Sequence, residues 1–154
     1  MLIRKANIED INTLIQIRID FLREEAGNLS IAMEEVLRVQ LASYISSHLN
    51  RDLYVFLAEQ DERIVSTVFL SMIEKIPNTH FQNGRAGMVH NVYTYPDFRR
   101  SGLATALLHV MITEVRQLEI SAVDLIATPD GKPLYEKVGF ERIKDTFMRL
   151  RLTQ

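Results

Sequence analysis

The chain has 154 residues, of which 47% are hydrophobic and 25% charged, with a formal net charge of −2. That is the size and mix of one domain with its own core, and the absence of a basic block argues against a phosphate-tracking nucleic-acid surface. There is no cysteine, which excludes disulfides, thiolate metal sites and an acyl-cysteine intermediate.

Leu2 to Lys5 reads as a first strand, after which Asn7 can cap a helix from about Ile8 to Glu25, ended by Gly27-Asn28. Its apolar positions are Ile8, Ile11, Leu14, Ile15 and Leu22, together with the neighbours of Arg18. Ser30 opens a second helix to about Leu49, with Val36, Leu37, Leu41, Tyr44 and Ile45 on one side. Leu53 to Glu59 and Ile64 to Ile73, joined by the polar turn Gln60-Asp61-Glu62-Arg63, read as an antiparallel hairpin.

Glu74 to Arg85 carries Pro77, Asn78, Asn83 and Gly84 and is the longest breaker-rich connection. It reads either as a border of a binding site or as a mobile hairpin tip. Ala86 to Tyr95 is expected to form the central strand, closed by Pro96, with His90 on it. Gly102 to about Leu118 is the principal helix, with Ala104, Leu107, Leu108, Met111, Val115 and Leu118 as its apolar face. A buried strand is expected at Ala122 to Ala127, a short helix after Pro129-Asp130-Gly131 that ends at Gly139, and a final antiparallel strand from Phe147 to Leu152. No repeat or second domain is visible, so residues 1–154 are read as a single α/β domain. With neither an apolar run of about eighteen residues nor a charged segment ahead of an apolar one, the expected compartment is the cytoplasm. His48, His80, His90 and His109 show no spacing that sets two ligands on one helical face, so no catalytic metal is expected.

Chemistry concentrates where the central strand meets the principal helix, in Asn91-Val92-Tyr93-Thr94-Tyr95-Pro96-Asp97-Phe98-Arg99-Arg100-Ser101-Gly102-Leu103-Ala104. A helix N-terminus offers unpaired backbone N–H groups and a partial positive charge, so an anion is stabilised there. Gly102 permits close backbone approach, Ala104 keeps the first turn small, and Arg99 and Arg100 supply charge-assisted donors. On spacing alone the same segment could be a tight connection. Neither a Gly-x-x-x-x-Gly-Lys-Ser/Thr loop nor a Gly-x-Gly-x-x-Gly fingerprint is present.

Arg99-Arg100-Ser101-Gly102-Leu103-Ala104 resembles the Arg/Gln-x-x-Gly-x-Gly/Ala pyrophosphate loop of the GNAT N-acetyltransferase superfamily. Pro133-Leu134-Tyr135-Glu136-Lys137-Val138-Gly139-Phe140 resembles the family's second signature, a Leu-Tyr-Glu-Lys-x-Gly-Phe segment about thirty residues downstream. The resemblance implies a mixed, mainly antiparallel central sheet flanked by helices, and direct acetyl transfer from acetyl-coenzyme A to a primary amine of a small molecule or protein. It further implies that the amides of Arg100, Ser101, Gly102, Leu103, Ala104 and Thr105 hold the pyrophosphate. Val92, Tyr93 and Thr94 then pair with the pantetheine arm, an N–H near Val92 polarising the thioester carbonyl.

Tyr135, at the family's Leu-Tyr position, is implied to face the cofactor sulfur as a general acid. A phenol of pKa about 10 donating to a thiolate of pKa about 8.5 is uphill by roughly 2 kcal/mol, so hydrogen-bond stabilisation describes its role better. The amine must also be neutral to attack. For a lysine-like acceptor, deprotonation at pH 7 costs roughly 4.6 kcal/mol. His90 is the leading candidate base, with Glu24, Glu25 and Glu34 as alternatives. Two positions depart from the family pattern: Thr128 replaces an asparagine and Gly131 an alanine, and Thr128 is expected to bond the pantetheine arm. The competing reading is a coenzyme A-binding module that senses acyl-CoA or contacts another protein without turnover. Sheet edges and apolar helix faces invite a homodimer.

Overall fold

The computed structural model describes residues 1–153. Six strands form one sheet: β1 (Leu2–Lys5), β2 (Leu53–Gln60), β3 (Arg63–Glu74), β4 (Arg85–Val89), β5 (Tyr93–Thr94) and β6 (Ala122–Asp124). The order runs β1-β2-β3-β4-β6, with β5 also paired to β3. All pairings are antiparallel except β4 with β6, which the helical crossover between them makes parallel. Four helices complete the domain: α1 (Ile11–Ala26), α2 (Ile31–His48), α3 (Leu103–Gln117) and α4 (Lys132–Lys137).

Strand β2 shows why both faces of the sheet are covered. Val55 and Leu57 point toward Leu14, Ile17 and Ile19 of α1 and Ile45 of α2, while Phe56 and Ala58 point toward Leu107, Leu108 and Met111 of α3. A strand buried on both sides needs an almost unbroken apolar run, which Leu53 to Ala58 supplies.

Local signals cap and stop the helices at the residues that the sequence marks. Asn7 accepts from the Glu9 N–H at 2.8 Å and Asp10 reaches back to the Asn7 N–H at 2.8 Å, forming a capping box around a 3-10 turn at Ile8–Asp10. That turn precedes α1, so the α-helix proper starts three residues later than expected, and Ile8 is exposed. Ser30 caps α2 through the Met33 N–H, and Gly27 ends α1 in the left-handed region.

Four expectations are corrected. The central strand is interrupted: β4 ends at Val89 and β5 begins at Tyr93, leaving His90 beyond the strand on which it was expected. Strand β6 stops at Asp124 and is half-buried, because it is short and forms the sheet's edge. Val36 and Tyr44 face outward, since only Leu37, Leu41 and Ile45 of the expected α2 side reach the core. Phe147 to Leu152 forms no strand; Phe147, Met148, Leu150 and Leu152 are 65–86% exposed. Alternation sets which face a strand would bury, but it does not by itself supply the pairing that makes one. Among the described residues no helix is long and apolar enough to cross a membrane.

Candidate active site

The interruption of the central strand is a bulge. Leu70 pairs with Val89 and Thr67 with Tyr93, so His90, Asn91 and Val92 carry one residue more than the β3 segment opposite them. His90 still donates its N–H to the Phe69 carbonyl at 2.9 Å, but among the described residues neither Asn91 nor Val92 donates its N–H to another backbone group. Two amides are thereby left for another acceptor. Strand β4 pairs with β6 on its other side, whereas β5 has no such partner, and a cleft of about 680 Å³ opens beside it. Val92, Tyr93 and Thr94 line one wall and Ile126 and Thr128 the other.

At one end of the cleft the chain turns into α3. Arg100 has a φ of 58° and Gly102 a φ of 82°, two left-handed residues that turn successive amides toward the helix N-terminus. Leu103, Ala104 and Thr105 of the first helical turn line the cleft with Arg100 and Gly102. A Cβ built on Gly102 meets nothing within 4 Å, so the glycine is needed for its backbone angle and not for want of room. The two arginines do different things. Arg99 donates to both carboxylate oxygens of Glu24 at 2.7 and 2.8 Å and to the Thr94 carbonyl at 2.8 Å, fastening the loop to α1 and β5. Arg100 is exposed and makes no ion pair among the described residues. Ser101 is the one residue of the loop from Arg99 to Ala104 outside the cleft: its hydroxyl turns back to the Phe98 carbonyl.

Tyr135 stands on the opposite wall, half-buried, with its ring edge-on to Phe140 at 6.0 Å. Burial raises its phenol above the ordinary value, which makes full proton donation harder than for a free phenol. The two departures from the family pattern prove to be neighbours. A Cβ on Gly131 would lie 3.1 Å from the Tyr135 ring and 3.3 Å from the Thr128 hydroxyl, and that hydroxyl accepts from the Gly131 N–H at 3.2 Å. Thr128 thus shapes the turn into α4, and Gly131 leaves room for it beside Tyr135.

On the side covered by α1, His90 lines the cleft with its Nε2 2.8 Å from the Ser71 hydroxyl. Burial first, and the charge of Arg18 second, hold the imidazole below its ordinary value, so it is neutral at pH 7. Glu34 lies outside the cleft, bonded to Arg23 and Arg38, which pull its carboxyl down and make it a poor base. Glu24 is held by Arg99, while Glu25 lines the cleft without an ion pair among the described residues. Residues 74–85 contribute nothing to the cleft: Lys75 bonds Gly84, and Asn83 ties the loop to the Glu119 carbonyl. Phe21 and Ile126 line it although no motif marked them; Phe21 falls one turn before Glu24 and Glu25, a periodicity that could have found it.

A model of the acetyltransferase (GNAT) domain matches residues 23–152. The uncharacterized N-acetyltransferase ycf52 of Pyropia yezoensis is 34% identical over 89 residues, 52% of this chain and 50% of that protein, and the ycf52 protein of Porphyra purpurea matches to the same extent. The chain spans about half the length of the curated relatives it matches. A predicted acetyltransferase from Clostridium acetobutylicum, solved with acetyl-CoA, superposes with a TM-score of 0.87 at 30% identity, over 98% of this chain and 96% of that one. The aminoglycoside 6'-N-acetyltransferase AAC(6')-IG of Acinetobacter haemolyticus shares the fold, with a TM-score of 0.73 at 16% identity over 100% of both chains. With the bulged central strand, the loop at Gly102 and Tyr135 around one cleft, and a family model covering most of its length, the chain belongs to the GNAT acetyltransferase family.

Proposed function

We propose that this protein is an acetyl-CoA-dependent N-acetyltransferase that moves an acetyl group directly to a primary amine. The observation that carries the reading is the single cleft in which free backbone amides, a helix N-terminus and Tyr135 converge. Coenzyme A, when bound, supplies the acetyl group as a thioester. The residues present fit it: the amides from Gly102 to Thr105 and the uncommitted Arg100 would hold the pyrophosphate. Thr94 and Val92 offer a strand edge to the pantetheine arm, and the free N–H groups of the bulge receive the thioester oxygen as charge develops on it. Thr128 reaches the same arm from the far wall.

His90 takes the proton of the attacking amine, directly or through one water, because it is neutral and able to accept. Tyr135 donates a hydrogen bond to the departing sulfur, its raised pKa delaying full proton transfer until late in the step. Both free edges of the sheet, β1 and β6, together with the exposed apolar residues of α2, favour a homodimer. Tyr135→Phe tests the central assignment. It should leave acetyl-CoA affinity within about twofold by calorimetry while lowering kcat by roughly 10²-fold or more. An unchanged rate with a saturating amine would reduce Tyr135 to a packing role.

A further inference from the structure

Four arginines of the described chain are not fully exposed: Arg4, Arg18, Arg38 and Arg85. Three of them pair with carboxylates; Arg18 makes no ion pair. Its guanidinium donates once, from Nη1 to the Asn91 Oδ1 at 3.1 Å, and no other hydrogen bond to the described residues satisfies it. Asn91 is fully buried and is held in turn by the Thr67 hydroxyl at 3.3 Å, so the anchor is fixed within the bulge. The guanidinium also lies over the Phe21 ring at 5.2 Å from its centroid. One nitrogen is thus committed, the group rests against an aromatic ring, and the Nε–Nη2 edge is left without an acceptor among the described residues. That edge has the donor geometry that receives a carboxylate through two parallel hydrogen bonds.

Position ties this cation to the amine's side of the cleft. Arg18, Phe21 and Glu25 are spaced i, i+3 and i+7 and form one stripe along α1, of which Phe21 and Glu25 line the cleft beside His90. A half-buried, unpaired cation costs folding free energy, and burial pulls the Arg18 proton affinity down, with Glu25 partly opposing. A protein that keeps such a group next to its reaction centre has a use for the charge.

We propose that Arg18 binds a carboxylate of the acceptor, so that the amine acetylated by this protein is that of an amino acid or another small molecule bearing both an amine and a carboxylate. The proposal rests on the transferase reading above and deepens it. A monoanionic carboxylate matches one free guanidinium edge, whereas Glu25 on the same helix, without an ion pair among the described residues, opposes a dianionic phosphate more strongly. Glu25 faces the incoming ammonium before deprotonation. The reaction leaves the carboxylate untouched: the neutral amine's nitrogen forms a bond to the acetyl carbon, the carbon–sulfur bond breaks, the nitrogen's proton passes to the base, and the departing thiolate takes a proton from Tyr135, which the base's proton replaces through solvent.

The test compares matched acceptors, the proteinogenic amino acids and ω-amino acids of increasing chain length against their carboxamides, by coenzyme A release. Wild-type protein should favour the acid over its amide by at least tenfold in kcat/KM, expressed mainly in KM. Arg18→Gln should bring that ratio close to one, and Arg18→Lys, which keeps the charge without the fork, should fall between. Equal use of acid and amide by the wild type, or a ratio that survives Arg18→Gln, overturns the proposal. Binding keeps it testable apart from turnover, with melting curves confirming that both variants fold. If no amine releases the thiol, the transferase reading falls, and titration of the coenzyme A-bound protein with N-acetylamino acids and their amides still decides the Arg18 site. Acid-selective binding that Arg18→Gln abolishes upholds it, and equal or absent binding of the acids sinks it.

Discussion

His90 and Gly102 are the residues whose local settings bear most directly on chemistry. Burial and the Arg18 charge lower the imidazole pKa, so the neutral form persists further into the acid range than for a free histidine. As a base, His90 is competent above its folded-state value and lost as pH falls through it. The acid limb of kcat/KM should therefore lie below about 6.5, and His90→Gln should abolish it while slowing transfer by roughly 10²- to 10⁴-fold. Repeating the profile with amines of different basicity separates this limb from the acceptor's own titration; a limb that moves with the amine would exclude His90 as the base. At Gly102 the φ of 82° makes any other residue strained, by roughly 1 kcal/mol, but nothing blocks a methyl group. Gly102→Ala should accordingly weaken acetyl-CoA binding only a few-fold. Gly102→Glu, which sets a carboxylate at the anion-binding end of α3, should reduce it at least a hundredfold, and similar calorimetric losses for the two would show that strain and not charge is the cause.

Among the elements, the start of α1 is held by more than propensity. Arg4 of β1 donates to both oxygens of Asp10 at 2.7 and 2.9 Å and also to Glu59 of β2, so the capping box, the edge strand and the helix share one network. The hydrogen bond from Arg4 is the main reason the Asp10 carboxyl sits below the usual range, with the Asn7 N–H adding to it and burial opposing. A depressed carboxylate stabilises the fold above its unfolded value of about 3.9, and that contribution is lost as pH falls through the lower folded value. Asp10→Asn should cost about 1–2 kcal/mol near neutral pH, after allowance for the partial exposure of Arg4, in urea melts. It should also flatten the loss of stability below pH 4; an unchanged acid profile would assign that loss to other carboxylates. The bulge between β4 and β5 is the second element with a consequence, since it makes the unpaired amides and brings Asn91 beneath Arg18.

The cleft belongs to the molecule as a whole, because α1, the bulged strand, α3 and the turn into α4 each give it one wall. A ligand that bridges these parts binds the folded state alone and must stabilise it. Acetyl-CoA at a hundredfold its Kd should add about 2.7 kcal/mol and raise Tm by roughly 5–10 °C for a chain of this size. Pantetheine without the pyrophosphate should give a much smaller shift at the same concentration. No shift with acetyl-CoA at millimolar concentration would remove the cofactor assignment.

Much of this was present in the chain. The caps at Asn7 and Ser30, the apolar run of β2 and β3, and the apolar face of α3 are local patterns, and local patterns specify elements. The two motifs, at Arg99 to Ala104 and Pro133 to Phe140, named the family and part of the cleft's lining, from Arg99 to Ala104 apart from Ser101 and at Leu134 and Tyr135, because such loops bind through backbone geometry that short spacings encode. What the spacing could not encode was long-range. That the central strand bulges at His90 follows from its register against β3, and whether Phe147 to Leu152 pairs is not set by its alternation, which fixes faces and not partners. Arg99 is spent on Glu24, 75 residues away, and Ser101 on its own turn, so the motif's charge falls to Arg100. Arg18 had no motif at all. Its lack of an ion pair among the described residues, and its place beside His90, exist only once α1 has packed across the bulge, since pairing of charges is a property of distances in space and not of neighbours in sequence.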